Sequence, residues 1–224
     1  MVGSSERNSC GTSLLYPAAA LLACNLALAQ PEITVVDRAS IKAEHLETPS
    51  TFTHSLNLSV VHLEDSGWEA VPALNALRQA TAIFSQCDIG IVGVEWVSLS
   101  APPRFLHFST PVGRELARLH PVRKPAIYLV LDMQDGVYDA EAIGRENSPT
   151  RPEIADTVWI RAAARDPGIV LAHELAHVLM DSGEHSDEPG NLMHDQTSGA
   201  NTRLSAIQCA RMRKRASENG LLQR

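Results

Sequence analysis

Runs of apolar and β-branched residues predict four β-strands, at residues 56–63, 89–99, 126–131 and 156–161. The first segment alternates between apolar and polar positions over much of its length, which is typical of a strand with one buried face. Residues 126–131 are continuously apolar, which is typical of a central strand that is buried on both faces. The polar stretch at residues 132–152 predicts a long loop with room for a short edge strand.

Helical periodicity is clearest between residues 67 and 86. Apolar side chains recur there every three or four positions, at Val71, Leu74, Leu77, Ala80 and Phe84. This spacing predicts a long amphipathic helix. Further along the chain, Asp166 and Pro167 form an N-cap residue followed by proline at the first helical position, which predicts a second helix that runs to about Met180.

A third helix is expected from about Ser205 to Ala216, whereas residues 104–121 predict only a mixed connection. The elements therefore follow the order strand, helix, three strands, helix, loop, helix. This order predicts an α/β (α+β) fold in which a mixed, twisted β-sheet packs against the long helix and against the second helix, on which the candidate active-site residues described below lie.

The first thirty residues have the pattern of an export signal. A polar leader that contains Arg7 precedes an apolar stretch at residues 14–28, which is too short for a transmembrane helix. The tripeptide at residues 27–29 has the small-x-small form of a signal-peptidase site. We therefore expect a signal peptide over residues 1–29, a polar arm or short edge strand over residues 30–55, and one folded domain over residues 56–224.

An alternative processing route is lipidation of Cys24, which follows Leu-Leu-Ala as in bacterial lipoproteins. Both routes predict an exported protein, secreted or periplasmic, without a transmembrane segment. In an oxidising compartment Cys87 and Cys209, which remain after removal of the leader, are expected to form a disulfide. Two unpaired buried thiols are the alternative.

Composition narrows the class of protein. The 224 residues are 44% hydrophobic, and 19 Lys and Arg against 26 Asp and Glu give a net charge of −7. These values are typical of one globular domain, which we expect to be a monomer, and they exclude a disordered or collagen-like chain. The acidic balance argues against a nucleic-acid or membrane-surface partner.

The most informative motif is His173-Glu174-Leu175-Ala176-His177. On a helix, residues four apart stand on the same side, so both imidazoles can reach one metal ion. We expect the aliphatic flank of this helix to be buried and the two histidines to face a cleft. Zinc suits such a pair, and the carboxylate of Glu174 would then stand beside a zinc-bound water as general base.

A catalytic zinc ion needs a third protein ligand and one open coordination position. We favour His185, because imidazole is a preferred ligand and Gly183 can adopt the left-handed conformation that reverses the chain after a helix. The downstream candidates among which the sequence leaves a choice are Asp181, Glu184, His185, Asp187, Glu188, His194 and Asp195.

Residues 173–193 resemble the active-site segment of the metzincin zinc peptidases, most closely the matrixin-like pattern. The resemblance implies a metzincin-like catalytic domain over residues 56–224 with one catalytic Zn²⁺. By the same resemblance, Met193 matches the methionine of the turn beneath the metal. The chain diverges from matrixins, since that pattern has glycine and the third histidine where this chain has Met180 and Gly183, and His185 lies two residues later.

The resulting expectation is an exported zinc metalloendopeptidase that hydrolyses peptide bonds in a peptide or protein substrate. The substrate would lie along the cleft, paired with an exposed sheet edge. Two alternatives remain, a zinc-binding module that recognises a protein or cell-wall component without cleaving it, and a zinc hydrolase of a non-peptide bond. Glu174 favours an enzyme, because a purely structural zinc site needs no base.

Overall fold

The computed structural model describes residues 32–134, the strand at 142–145 and residues 150–224. The signal-peptide prediction for residues 1–29 and the lipidation alternative at Cys24 lie outside these ranges. Within them, no helix is both long enough and apolar enough to cross a membrane.

The four α-helices of the described ranges are α1 Ala70–Phe84, α2 Thr110–Leu119, α3 Pro167–Met180 and α4 Ala206–Glu218. Their strands are β1 Thr34–Lys42, β2 His54–Leu63, β3 Ile89–Ser100, β4 His107–Phe108, β5 Ala126–Val130, β6 Asp132–Met133, β7 Ala142–Arg145, β8 Thr157–Arg161 and β9 Leu222–Gln223.

The fold is the predicted mixed α/β architecture, built on one large sheet of strand order β1-β3-β2-β5-β8-β7. The inner strands β3, β2, β5 and β8 are parallel, and the edge strands β1 and β7 run antiparallel to their neighbours. The short strand β9 also pairs with β2. Parallel neighbours need crossover connections, and α1 supplies the one between β2 and β3. The continuously apolar strand β5 is buried along its whole length, as its sequence predicts.

Alternate residues of the strands pack into two separate cores, one on each face of the sheet. Ile127 and Leu129 belong to the larger core, which the sheet shares with α1, α3 and α4. Tyr128 and Trp159 belong to the smaller core under α2, where their rings stack with centroids 4.0 Å apart. The candidate metal motif lies on α3, in the larger core.

Two segments are more regular than their sequences predict. Residues 104–121, expected to be a mixed connection, contain the ten-residue helix α2, which buries only Gly113, Leu116 and Ala117. The segment is nevertheless amphipathic, with Leu116 on the buried side and Arg114 and Arg118 exposed, so its sequence did carry the pattern of a helix. The polar arm expected over residues 30–55 contains the nine-residue edge strand β1, and almost all of its residues are exposed. Because β1 is held by backbone pairing with β3 and not by burial, its apolar pattern could not reveal its length.

The long helix α1 lies where the sequence predicts it, but its buried face differs at one position. Val71 is 67% exposed. Val71 lies two residues from the buried Ala73, and a helix turns by about 200° over two residues, so the two side chains point to opposite sides of α1.

After α1, Cys87 is bonded to Cys209 of α4, with the two Cα atoms 4.8 Å apart. This disulfide joins segments 122 residues apart in the sequence.

Candidate metal centre

Helix α3 begins where its sequence predicts, although not by the predicted cap. The Asp166 backbone is left-handed, with φ of 49°, and its side chain makes no capping hydrogen bond. The carbonyl of Asp166 instead accepts the amides of Ile169 and Val170. Pro167, whose ring fixes φ near the helical value, opens the first turn.

Burial extends around the whole of α3 and is not confined to one aliphatic flank as expected. Glu174 is the one residue between Gly168 and Met180 that is not buried. His173 and His177 are 3% and 6% exposed. A buried imidazole needs a partner for each ring nitrogen. The groups around His173 and His177 therefore determine the protonation and the tautomer of each ring.

The turn after α3 is made by Asp181, so the expectation for Gly183 is wrong. Asp181 adopts the left-handed conformation, with φ of 50°, and its amide bonds back into the last turn of the helix. Ser182 N donates to His177 O at 3.1 Å. Gly183 does not adopt a positive φ. The chain therefore reverses two residues earlier than expected.

Both buried histidines are oriented by backbone carbonyls. His173 Nδ1 lies 2.7 Å from Leu192 O, and His177 Nδ1 lies 2.7 Å from Ser182 O. A carbonyl oxygen can only accept, so each Nδ1 carries the proton. A neutral imidazole that is protonated on Nδ1 has its free lone pair on Nε2. This tautomer binds a metal ion through Nε2.

The arrangement of the Nε2 atoms fits a cation. His173 Nε2 and His177 Nε2 are 3.0 Å apart in a buried place. Two lone pairs at that distance repel each other unless a positive charge lies between them. Burial, with a smaller contribution from the neighbouring His177 and His185, lowers the pKa of His173 to about 4, so its ring is neutral near pH 7.

His185 completes a three-imidazole group. Its ring centroid lies 5.3 Å from that of His173 and 4.9 Å from that of His177, and one ligand atom from each residue lies within 4.8 Å of the others. His185 is exposed, which places the group between core and solvent. Three histidine nitrogens are a donor set that catalytic zinc uses with one position left open. The three histidines could therefore hold a metal ion.

The other candidate ligands are not members of the three-imidazole group. Among the described residues, the metal-type grouping contains His185 and no other of the seven candidates. Glu184 forms an ion pair with Arg211 of α4. His194 Nδ1 is 3.0 Å from Asp195 Oδ1 and accepts a hydrogen bond from Gln196 N.

The turn at residues 190–193, which orients the His173 ring, was only partly predicted from the sequence. Met193 is 1% exposed, and its carbonyl accepts Ser186 N at 2.7 Å, next to His185. Asn191, which is not among the residues predicted from the sequence, is buried, and its Oδ1 accepts Met193 N at 2.9 Å. The signal available in the sequence was Gly190 before Asn191, since Gly190 has the positive φ of a tight turn.

Comparisons with known proteins define no family for this chain. No protein-family model matches it, and no curated protein does. Among solved structures, the crystal structure of metalloproteinase-II from Bacteroides fragilis aligns with a TM-score of 0.48 and 15% sequence identity. The alignment covers 77% of this chain and 60% of that one.

Proposed function

We propose that this protein is a zinc-dependent peptidase in which His173, His177 and His185 hold the metal and Glu174 is the general base. The observation that carries the proposal is the convergence of three imidazoles, two of them buried and fixed in one tautomer by backbone carbonyls. When bound, zinc would act as a Lewis acid and lower the pKa of a water molecule.

Glu174 is suited to proton transfer by its place on α3. It follows His173 directly and, unlike its neighbours on the helix, it is only partly buried. Its carboxylate would accept a proton from the attacking water and deliver it to the leaving amine nitrogen. Met193, buried beside the Leu192 carbonyl that holds His173, would support the site, as the metzincin resemblance implies.

The substrate is proposed to be a peptide or protein segment cleaved internally by a monomeric enzyme. An extended peptide could add a strand along β7, which is the last strand of the sheet among the residues that the structure describes. Export is proposed from the signal peptide expected at residues 1–29. The disulfide between Cys87 and Cys209 supports an oxidising compartment.

The test combines bound-metal analysis with cleavage of a mixed library of fluorogenic peptides. Glu174→Gln keeps the size of the side chain and removes the base, so we expect metal content to stay and cleavage to fall by about 10²–10⁴-fold. His185→Ala should lose metal, whereas His194→Ala, which alters a histidine of the same loop outside the grouping, should keep it.

The outcomes separate the alternatives. Full cleavage by Glu174→Gln would overturn the role of the base. Wild-type protein that takes up no zinc would overturn the metal site. Tight zinc binding with no hydrolysis of any peptide would favour the binding module or a hydrolase of another bond.

A further inference from the structure

Helix α4 is joined to residues 181–194, here called the metal-centre loop, by a reciprocal pair of side-chain amides. Asn191 Nδ2 donates to Gln208 Oε1 at 3.1 Å, and Gln208 Nε2 donates to Asn191 Oδ1 at 2.9 Å. Asn191 is 3% exposed, and Gln208 is partly buried on the first turn of α4. Such a pair fixes both the distance and the relative orientation of the two segments.

Neither amide can turn over without losing a backbone bond. Asn191 Oδ1 also accepts Met193 N, and Gln208 Oε1 also accepts Ser205 N at 2.8 Å. A flip of either side chain would place an NH₂ group against one of these N–H donors. The network therefore has one satisfied arrangement.

This network ends at a metal ligand. The residue between Asn191 and Met193 is Leu192, whose carbonyl accepts the Nδ1 proton of His173. Leu192 N is in turn held by Arg203 O at 2.7 Å. Movement of the turn at residues 191–193 would move the acceptor that sets the ring orientation and tautomer of His173.

We propose that Gln208 is a positioning residue of the metal centre, acting through Asn191 and the Leu192 carbonyl on His173. The inference rests on the proposed function, since it takes His173 to be a ligand. Helix α4 is a firm support for this role, because Cys209, the residue after Gln208, is bonded to Cys87 at the end of α1.

Gln208 also belongs to a capping box, which offers a way to separate positioning from helix stability. Gln208 N donates to Ser205 Oγ, and Ser205 N donates to Gln208 Oε1. Gln208→Glu keeps the capping box, in which Glu is a preferred residue, but turns an acceptor toward Asn191 Oδ1. Ser205→Ala removes the side-chain cap and leaves the amide pair intact.

The experiment titrates Co²⁺ and Zn²⁺ into the metal-free full chain of wild type, Gln208→Glu and Ser205→Ala against a competing chelator. The Co²⁺ absorption spectrum and the thermal unfolding of the metal-free proteins are recorded in parallel. We expect Gln208→Glu to raise the Kd for the metal about tenfold and to change the Co²⁺ spectrum. Ser205→Ala should lower Tm by a few degrees, roughly 4–8 °C at most, with Kd within about twofold of wild type.

Three results would overturn the proposal, and only the last of them also overturns the proposed function. If wild type binds metal and Gln208→Glu binds it equally well, or if both variants lose affinity in proportion to their loss of Tm, Gln208 is structural and the proposed function stands. If wild type binds neither metal, the positioning role and the proposed function fail together.

Discussion

At the scale of single residues, the buried polar side chains show how neighbouring groups control charge. His173 is kept neutral by burial, and a carbonyl fixes its tautomer. Lys124 is a second case, away from the metal centre. Its Nζ donates to Glu153 O at 2.9 Å and to Ala155 O, and burial lowers its pKa to about 8, although Asp156 and Glu153 act in the opposite direction.

The Lys124 ammonium predicts a stability trend on the alkaline side. The unfolded chain holds this proton up to a pKa near 10.5, so between about pH 8 and pH 10 the unfolded state binds more protons than the folded state. The free energy of unfolding contributed by this group therefore rises with pH across that window and falls as pH drops through about 8. Above about pH 10 burial of Tyr128, which raises its pKa, opposes the trend.

Urea unfolding across the window measures this contribution. Lys124→Met should flatten the rise of the unfolding free energy with pH, whereas Lys214→Met, at an exposed position of α4, should keep the wild-type slope. Equal slopes for wild type and Lys124→Met would show that Lys124 holds its proton equally in both states.

At the scale of elements, α3 carries the two buried histidines and also packs closely against α1. Gly168, in its first turn, faces Gln79 of α1. A Cβ at residue 168 would lie 2.7 Å from Gln79 Cβ and 2.9 Å from Gln79 Cδ, which is closer than real carbon atoms approach. The absence of a side chain at residue 168 therefore sets the distance between α1 and α3.

We expect Gly168→Ala to lower the free energy of unfolding by about 1–3 kcal/mol, because the added methyl group forces the two helices apart. Gly183→Ala is the matched control, since a Cβ there meets nothing within 4 Å and the backbone has no positive φ. Chemical unfolding of both variants checks the difference. A similar stability for the two alanine variants would mean that Gln79 moves aside at little cost.

At the scale of the whole molecule, the disulfide connects Cys87, shortly after α1, to α4, the helix that contacts the loop following α3. Its partners are 122 residues apart, so the bond closes a long loop and restricts the unfolded chain strongly. The same helix, α4, contacts the loop through Gln208 and Arg211. The sheet, the disulfide and the three histidines therefore belong to one compact unit within the described ranges.

Removal of the disulfide should have a large effect on stability. We expect Cys87→Ser with Cys209→Ser to lower the free energy of unfolding by about 2–5 kcal/mol. Reductant should lower the stability of wild type and leave the double variant unchanged. Wild-type stability that does not respond to complete reduction would contradict this expectation.

Most of the strands and helices could be predicted from local signals in the sequence. Strands β2, β3, β5 and β8 follow from apolar and β-branched runs, α1 from helical periodicity and α3 from its Asp166-Pro167 start. These elements and α4 lie close to their expected positions. The spacing of His173 and His177 follows from helix geometry alone. Ligand preference and an expected turn at Gly183 together favoured His185 among seven candidates, although the structure makes that turn at Asp181.

Features that depend on residues far apart in the chain could not be predicted from the sequence and became visible only in the folded structure. The convergence of His185 with the α3 histidines, the carbonyls that fix their tautomers and the link from Asn191 to Gln208 are all contacts across loops. Strand β1 buries few side chains, so its apolar pattern is weak. Local propensity cannot encode such contacts, because their free energy arises only when distant segments are brought together by the shared core.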